Sequence, residues 1–204
     1  SSFAQYYLHN YLPFMPDNKK VEILVISCGP GYLVDVLKKK GYENVLGIDS
    51  DPGKIAYAQK RSLNCRTERA FEHLEGLANK YDVIIPEQEL NHLTHAETLE
   101  FLQLCRPALK DNGLMIVYGL NGANPLVGSE NLAHNIDHFY IVTEYSLGQL
   151  LLSNLGNAVY SVYVFSLPPG DYLVAHIGTL DPEWWTPLPS LRRWRGGWPA
   201  SSSP

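Results

Sequence analysis

The apolar run Val21–Ser27 leads into Cys28-Gly29-Pro30-Gly31, and a second run, Asn44–Ile48, stops at Asp49 with Ser50 beside it. Small residues directly after a strand let backbone come close to a ligand, and an acid at the end of the next strand can accept two hydrogen bonds from a cis-diol. Together they read as a nucleoside-cofactor site. Its candidate residues are Ser27, Cys28, Gly29 and Gly31 in the turn and Asp49 and Ser50 at the second strand end.

The elements that must hold this site alternate along the chain. Phe3, Tyr6, Tyr7, Tyr11 and Leu12 recur at helical spacing and predict an N-terminal amphipathic helix, ended by Pro13 and Pro16. That helix is expected to pack on the sheet edge, the alternative being that Tyr6, Tyr7 and Tyr11 form a lid over the cofactor site. A helix over Tyr32–Lys40 follows the first strand, with Gly41 as its stop, and a second helix opens at Pro52. A short strand near Asn64–Thr67, a helix over Phe71–Asn79, the strand Tyr81–Pro86 and a helix over His95–Leu109 come next. Lys110-Asp111-Asn112-Gly113 reads as a turn before the strand Leu114–Leu120. Such alternation calls for a Rossmann-like doubly wound α/β sheet, mostly parallel, in three layers. Thr143 is the expected N-cap of a helix over Glu144–Leu155. Ala158–Leu167 and Tyr172–Leu180, joined by Pro168-Pro169-Gly170-Asp171, predict a C-terminal antiparallel hairpin.

The 204 residues suit one domain over 1–180 with its N-terminal helix, followed by a tail over 181–204 that holds all four tryptophans and is expected to dock locally. With 45% hydrophobic and 18% charged residues and a net charge of −5, a basic nucleic-acid face is not expected. Cys28, Cys65 and Cys105 lack zinc or disulfide spacing, so a reducing, cytoplasmic setting is expected and no metal is. No apolar run approaches the roughly 20 residues that span a bilayer. His73 and His95 read as exposed helix positions, and Lys38-Lys39-Lys40 as a solvated helix end.

Four stretches carry a resemblance: I-L-V-I-S-C-G-P-G-Y-L (23–33), L-G-I-D-S-D (46–51), Y-D-V-I-I-P-E-Q-E-L-N-H-L (81–93) and L-K-D-N-G-L-M-I-V (109–117). In this order and spacing they resemble the class I S-adenosylmethionine-dependent methyltransferases. The resemblance implies S-adenosylmethionine as cofactor, with Cys28, Gly29 and Gly31 under its ribose and methionine portion. It implies Asp49 on the ribose hydroxyls, and Glu87, Gln88 and Glu89 beside the methionine end. Two positions depart from the family pattern: Val25 stands where an acid is usual, and Ser27 where the first glycine is usual. In the family that acid helps hold the cofactor's ammonium group, so its loss is expected to weaken binding unless Glu87 or Glu89 substitutes, and Ser27 is strained only if its φ is positive.

N-G-A-N-P-L (121–126) and D-H-F-Y-I-V-T-E-Y-S-L (137–147) resemble a subgroup that includes sugar and polysaccharide methyltransferases. The resemblance implies a small-molecule or glycan hydroxyl as acceptor. Attack on an activated methyl needs alignment and removal of the hydroxyl proton, and histidine titrates in the right range. His138 is the first candidate base, with Asp137 or His134 assisting and His92 second. Two other readings stay open: a non-catalytic scaffold of the same fold, motivated by Val25 and Ser27, and a nicotinamide dehydrogenase. The latter is disfavoured because the third glycine of its motif falls on Val34.

Overall fold

Strands buried on both faces read as unbroken Val/Ile/Leu runs, because helices must cover each side of a parallel sheet. The chain follows this rule in the computed structural model, which describes residues 2–87, 90–124, 132, 136–139, 141–155, 160–167, 170–177 and 192–194. After helix α1 (Ser2–Asn10) come β1 (Glu22–Ile26), α2 (Tyr32–Lys39), β2 (Asn44–Asp49), α3 (Pro52–Lys60) and β3 (Cys65–Thr67). Then follow α4 (Ala70–Leu74), β4 (Tyr81–Pro86), α5 (His95–Ala108), β5 (Leu109–Leu120) and α6 (Glu144–Leu155). The first five strands lie in the order β3-β2-β1-β4-β5, each neighbouring pair parallel. Strands β6 (Tyr160–Leu167), β7 (Gly170–Ile177) and β8 (Arg192–Trp194) follow beyond β5 in the same sheet.

Alternation along the central strands divides the core. Ile23, Val25, Val83, Ile85 and Ile116 pack with α1, α2 and α3 residues on one face; Leu24, Ile26, Ile84, Met115 and Val117 pack with α4, α5 and α6 on the other. Because β2 and β4 flank β1 on opposite sides, the carboxyl end of β1 is the point where strand order reverses. A crevice opens at such a point, and ligands of α/β sheets bind there.

Caps set the helix starts. Asp51 accepts from the Gly53 and Lys54 amides at 2.7 and 3.2 Å and starts α3 with Pro52 in its first turn. Thr94 and Glu97 form a reciprocal capping box on α5. As expected, Thr143 caps α6: its hydroxyl accepts from the Ser146 amide at 3.2 Å, while the Ser146 hydroxyl accepts from the Thr143 amide at 2.8 Å.

Three expectations need correction. The helix after Arg69 ends at Leu74 rather than continuing to Asn79, because Gly76 and Asn79 both take positive φ. Lys110–Gly113 is not a free turn ahead of a strand. Strand β5 already pairs at Leu109, opposite Tyr81, and resumes at Leu114, opposite Val83, so the intervening residues bulge out. Asn112 takes φ 62° there, and Lys110 reaches Asp82 at 2.7 Å. His73 is buried, not exposed: its Nε2 pairs with the Tyr81 hydroxyl at 2.7 Å and its Nδ1 with Glu68 at 3.0 Å. A buried imidazole needs both ring nitrogens satisfied, and these two partners join α4 to the sheet. The Pro168-Pro169 turn, the sheet-distal tail apart from Arg192–Trp194, Gln88, Glu89 and His134 lie outside the described residues. Among the described residues, no helix is long and apolar enough to cross a membrane.

Candidate active site

The turn after β1 is built by close packing from below and open space above. Gly31 takes φ 78° as the N-cap of α2, and a Cβ there would stand 2.8 Å from Leu63 Cδ1 and 3.2 Å from Ala58 Cβ. Only glycine fits so close to α3. Gly29 takes φ 53°, and no atom lies within 4 Å of where its Cβ would be. That open side is where a ligand can approach backbone directly. Cys28 turns its side chain into the core instead. Its thiol is pushed far up from the ordinary thiol range by a hydrogen bond with Cys65 and by burial. Its contribution at this turn is therefore backbone.

Ser27 takes φ 55°, so a non-glycine residue occupies the left-handed region at the strand end. That conformation costs about 1–2 kcal/mol for an L residue. Ser27→Gly is expected to raise stability by roughly 0.5–1 kcal/mol, since glycine's greater freedom in the unfolded chain offsets part of the relief. The midpoint of urea denaturation reads this; a lowered midpoint means that the serine side chain contributes more than its backbone strain costs.

Asp49 is buried at the end of β2, and both its carboxylate oxygens are held. Oδ2 accepts from the Gly29 amide at 2.9 Å and Oδ1 from the Asp51 amide at 2.9 Å. A carboxylate has about four lone-pair sites, so each oxygen of Asp49 keeps acceptor capacity beyond its one backbone donor. This is a match for two adjacent hydroxyls. Ser50 is exposed on the same rim.

Val25 is fully buried within the apolar cluster that contains Tyr7, Tyr11 and Tyr118. A second carboxylate at this end of the sheet, besides Asp49, comes from Glu87, directly after β4. Its amide donates to the Ile26 carbonyl at 2.9 Å, and it bridges to Tyr118. The Tyr7 hydroxyl donates to Glu87 Oε1 at 2.5 Å. Burial raises the Glu87 carboxyl to about 7, and the charge of Asp49 adds to the rise, while the Tyr7 hydrogen bond opposes it. Tyr7 in turn titrates far above the ordinary phenol range through burial and the adjacent Glu87. Helix α1 thus does more than cover the sheet. Its Tyr6 and Tyr7 stack edge-on and tilted with Tyr11 just past the helix and Tyr118 of β5, ring centroids being 5.2 Å apart for Tyr6–Tyr7, 5.7 Å for Tyr7–Tyr11 and 5.4 Å for Tyr11–Tyr118. That stack places one hydroxyl on the half-buried acid.

The same connection after β4 carries a second group. The turn Leu90–His92 places His92 Nδ1 3.2 Å from Asp137 Oδ2, and the His92 and His138 rings meet edge to face with centroids 4.7 Å apart. A backbone hydrogen bond from Phe139 to the Asn91 carbonyl, 3.0 Å, pins the 136–139 segment there. One ligand atom from each of His92, Asp137 and His138 lies within 4.8 Å of the others. The two imidazoles are half-buried and Asp137 is exposed. Such a group can accept a proton, orient a hydroxyl or hold a cation.

All three candidate catalytic residues therefore come together, as do Gly29, Gly31, Asp49 and Glu87 around the β1 end. Sequence reasoning put Tyr7 in a helix packed on the sheet edge, with a lid over the cofactor as the alternative, and did not pair it with Glu87; its signal was a tyrosine-rich helix spaced to lean on the sheet. The pairing of His92 with Asp137 had no sequence signal, because they are far apart in the chain.

Known proteins match this picture. A family described as a methyltransferase domain matches residues 23–113. A ubiquinone biosynthesis O-methyltransferase of Cereibacter sphaeroides is 32% identical over 131 residues, covering 58% of this chain and 49% of that protein. The chain spans about half the length of the curated relatives it matches. A solved S-adenosylmethionine-dependent methyltransferase from Archaeoglobus fulgidus superimposes with TM-score 0.70 at 18% identity, covering 86% of this chain and 93% of that one. The plantazolicin methyltransferase BpumL, solved in complex with SAH, gives TM-score 0.61 at 20% identity over 87% of this chain and 81% of its own. The fold is the Rossmann-like α/β fold of these methyltransferases.

Proposed function

We propose that this chain, whose residues 23–113 form a methyltransferase domain, transfers a methyl group from S-adenosylmethionine to a hydroxyl of a small acceptor. The observation that carries the reading is Asp49, anchored on the Gly29 and Asp51 amides, at a turn where no atom lies within 4 Å of where a Gly29 Cβ would be. The residues present fit the cofactor: a diol acceptor, an open backbone cradle and a second carboxylate, Glu87, for an ammonium group. When bound, S-adenosylmethionine supplies an electrophilic sulfonium methyl. Asp49 takes the ribose hydroxyls, Glu87 takes the ammonium in place of the acid absent at Val25, and Tyr7 orients Glu87. The His92–Asp137–His138 group receives the acceptor hydroxyl and its proton, with His138 as base.

Residues 1–180 are taken as the functional unit, the tail 181–204 as docked on it. The β6–β7 pair is read as an antiparallel hairpin closing the sheet, supported by the pairings Met115↔Ile177 and Tyr160↔Ile177. All three cysteines are free and buried, in keeping with a reducing cytoplasmic setting.

Two acceptor classes follow from different observations. The 137–147 pattern favours a sugar hydroxyl. Ile136 and Phe139, exposed large apolar side chains, adjoin Asp137 and His138 in the chain and favour an acceptor with an apolar or aromatic body. The second reading also agrees with the name of the Cereibacter relative. Turnover of S-adenosylmethionine against a panel of sugars and phenols separates them. With a working acceptor, His138→Ala is expected to lower kcat by roughly 10²–10⁴-fold with unchanged affinity for S-adenosylhomocysteine. Unchanged kcat removes His138 from the role. A titration with S-adenosylhomocysteine and NAD tests the cofactor itself; binding of neither supports the scaffold reading.

A further inference from the structure

We propose that His92, Asp137 and His138 form a binding site for one divalent transition-metal ion of the zinc type, placed where the acceptor hydroxyl is received. The site has the composition of an open catalytic centre: two imidazoles, one carboxylate and a position left for an exogenous oxygen. The ligand set selects the ion. Imidazole suits zinc, cobalt, nickel and iron, whereas magnesium demands an oxygen shell.

The geometry is close to what such an ion requires. With metal–ligand bonds of about 2.0–2.2 Å, tetrahedral ligand atoms stand about 3.4 Å apart. His92 Nδ1 and Asp137 Oδ2 are already 3.2 Å apart, and all three ligand atoms fall within 4.8 Å. Closing the remaining gap needs rotation of side chains that are half-buried or exposed, not movement of the fold. The backbone support is in place. Leu90–His92 forms a 3-10 turn with Leu90 buried, and the Phe139 amide is bonded to the Asn91 carbonyl. Farther along, the Gly122 amide donates to the Val142 carbonyl at 2.9 Å, which ties the segment after Phe139 to the end of β5.

The role deepens the methyl-transfer reading and rests on it. An acceptor hydroxyl in the open position loses its proton to water more readily, because the cation stabilises the oxyanion. The oxygen lone pair then forms the new O–CH3 bond. The S–CH3 bond breaks with its electron pair remaining on sulfur, which becomes the neutral thioether. In this arrangement the histidines act through the ion, and the base assignment of His138 becomes a ligand assignment.

The test is metal binding by the full, untagged chain, measured without cofactor or acceptor. Calorimetric titration with Zn2+, and visible absorption on titration with Co2+, are expected to give one ion per chain with a tetrahedral or five-coordinate cobalt spectrum. His92→Ala and His138→Ala should each weaken Zn2+ binding by more than the roughly 10–100-fold that loss of an outer-shell partner costs. His95→Ala, an exposed position on α5, should leave it unchanged. Affinity for S-adenosylhomocysteine should be the same in all variants, which shows that the fold is intact. No stoichiometric binding by the wild-type chain overturns the proposal. So does binding that survives the His92→Ala/His138→Ala double variant, or displacement of Zn2+ by Mg2+. Metal binding without S-adenosylhomocysteine binding would instead sink the methyl-transfer reading and leave the site standing.

Discussion

Replacing Asp49 with alanine is expected to weaken S-adenosylhomocysteine binding by at least about 10²-fold. Each hydrogen bond to a charged group contributes about 1.5–3 kcal/mol, and the ribose offers two hydroxyls, so about 3–6 kcal/mol is at stake. The loss has a second source. Asp49 holds the Gly29 amide at 2.9 Å and the Asp51 amide at 2.9 Å, so it shapes the turn as well as reading the ligand. The thermal midpoint of the free protein should therefore fall too. Asp49→Asn is the sharper variant. An amide has one acceptor oxygen, so one of the two backbone donors must face an NH2 group instead. Calorimetric titration below the unfolding transition measures the affinity. Wild-type affinity in both variants would refute the ribose assignment.

Glu87→Gln is expected to act in opposite directions on stability and on binding. The Glu87 carboxyl titrates at about 7 in the fold, against about 4.5 without burial. For a carboxyl raised by folding, the unfolded chain ionises first, so stability is lost as pH rises from about 4.5 through 7. The full difference amounts to roughly 3 kcal/mol by the conversion of about 1.4 kcal/mol per pH unit. Glutamine carries no charge to desolvate and still offers an oxygen to the Tyr7 hydroxyl. The variant should thus match the wild type near pH 4 and exceed it by about 2–3 kcal/mol at pH 8, read from denaturant midpoints. Binding goes the other way. An ammonium prefers the ionised acid, so wild-type affinity for S-adenosylhomocysteine should rise toward pH 7 and level off above it. Glu87→Gln should remove that pH dependence and lower affinity at pH 8 by roughly 10–100-fold, the contribution of one hydrogen bond between charged groups. A variant that is more stable at pH 8 yet binds as well as the wild type would show that Glu87 faces no ammonium.

The Glu87 effects bear on one of the two departures within the first motif, Val25. Val25 removes an acid from the strand and fills the core. A carboxylate stands at the neighbouring strand end, Glu87, hydrogen-bonded by Tyr7 from a helix that precedes the whole sheet. Ser27 keeps the turn in its left-handed conformation at an energetic cost that glycine would avoid.

What could be read along the chain was local. The strand–turn–helix order around Gly29 and Gly31, the acid closing β2, the Asp51-Pro52 start of α3 and the Thr143–Ser146 cap of α6 depend on neighbours within a few residues. Hydrophobic period and capping chemistry act over that range. What could not be read depends on distance in space. His73 looked exposed on its own helix face, and only the approach of Tyr81 and Glu68 makes it a buried link. Tyr7 and Glu87 are 80 residues apart in sequence yet share a 2.5 Å hydrogen bond. His92 and Asp137 come within 3.2 Å through two segments pinned by one backbone hydrogen bond. Residue order alone therefore supports a nucleoside-cofactor crevice with Asp49 at its mouth, because backbone conformation follows from local residue types. Which acid answers for Val25, what strain Ser27 bears and what the two histidines can hold follow from packing, because burial and charge environment are properties of the folded core.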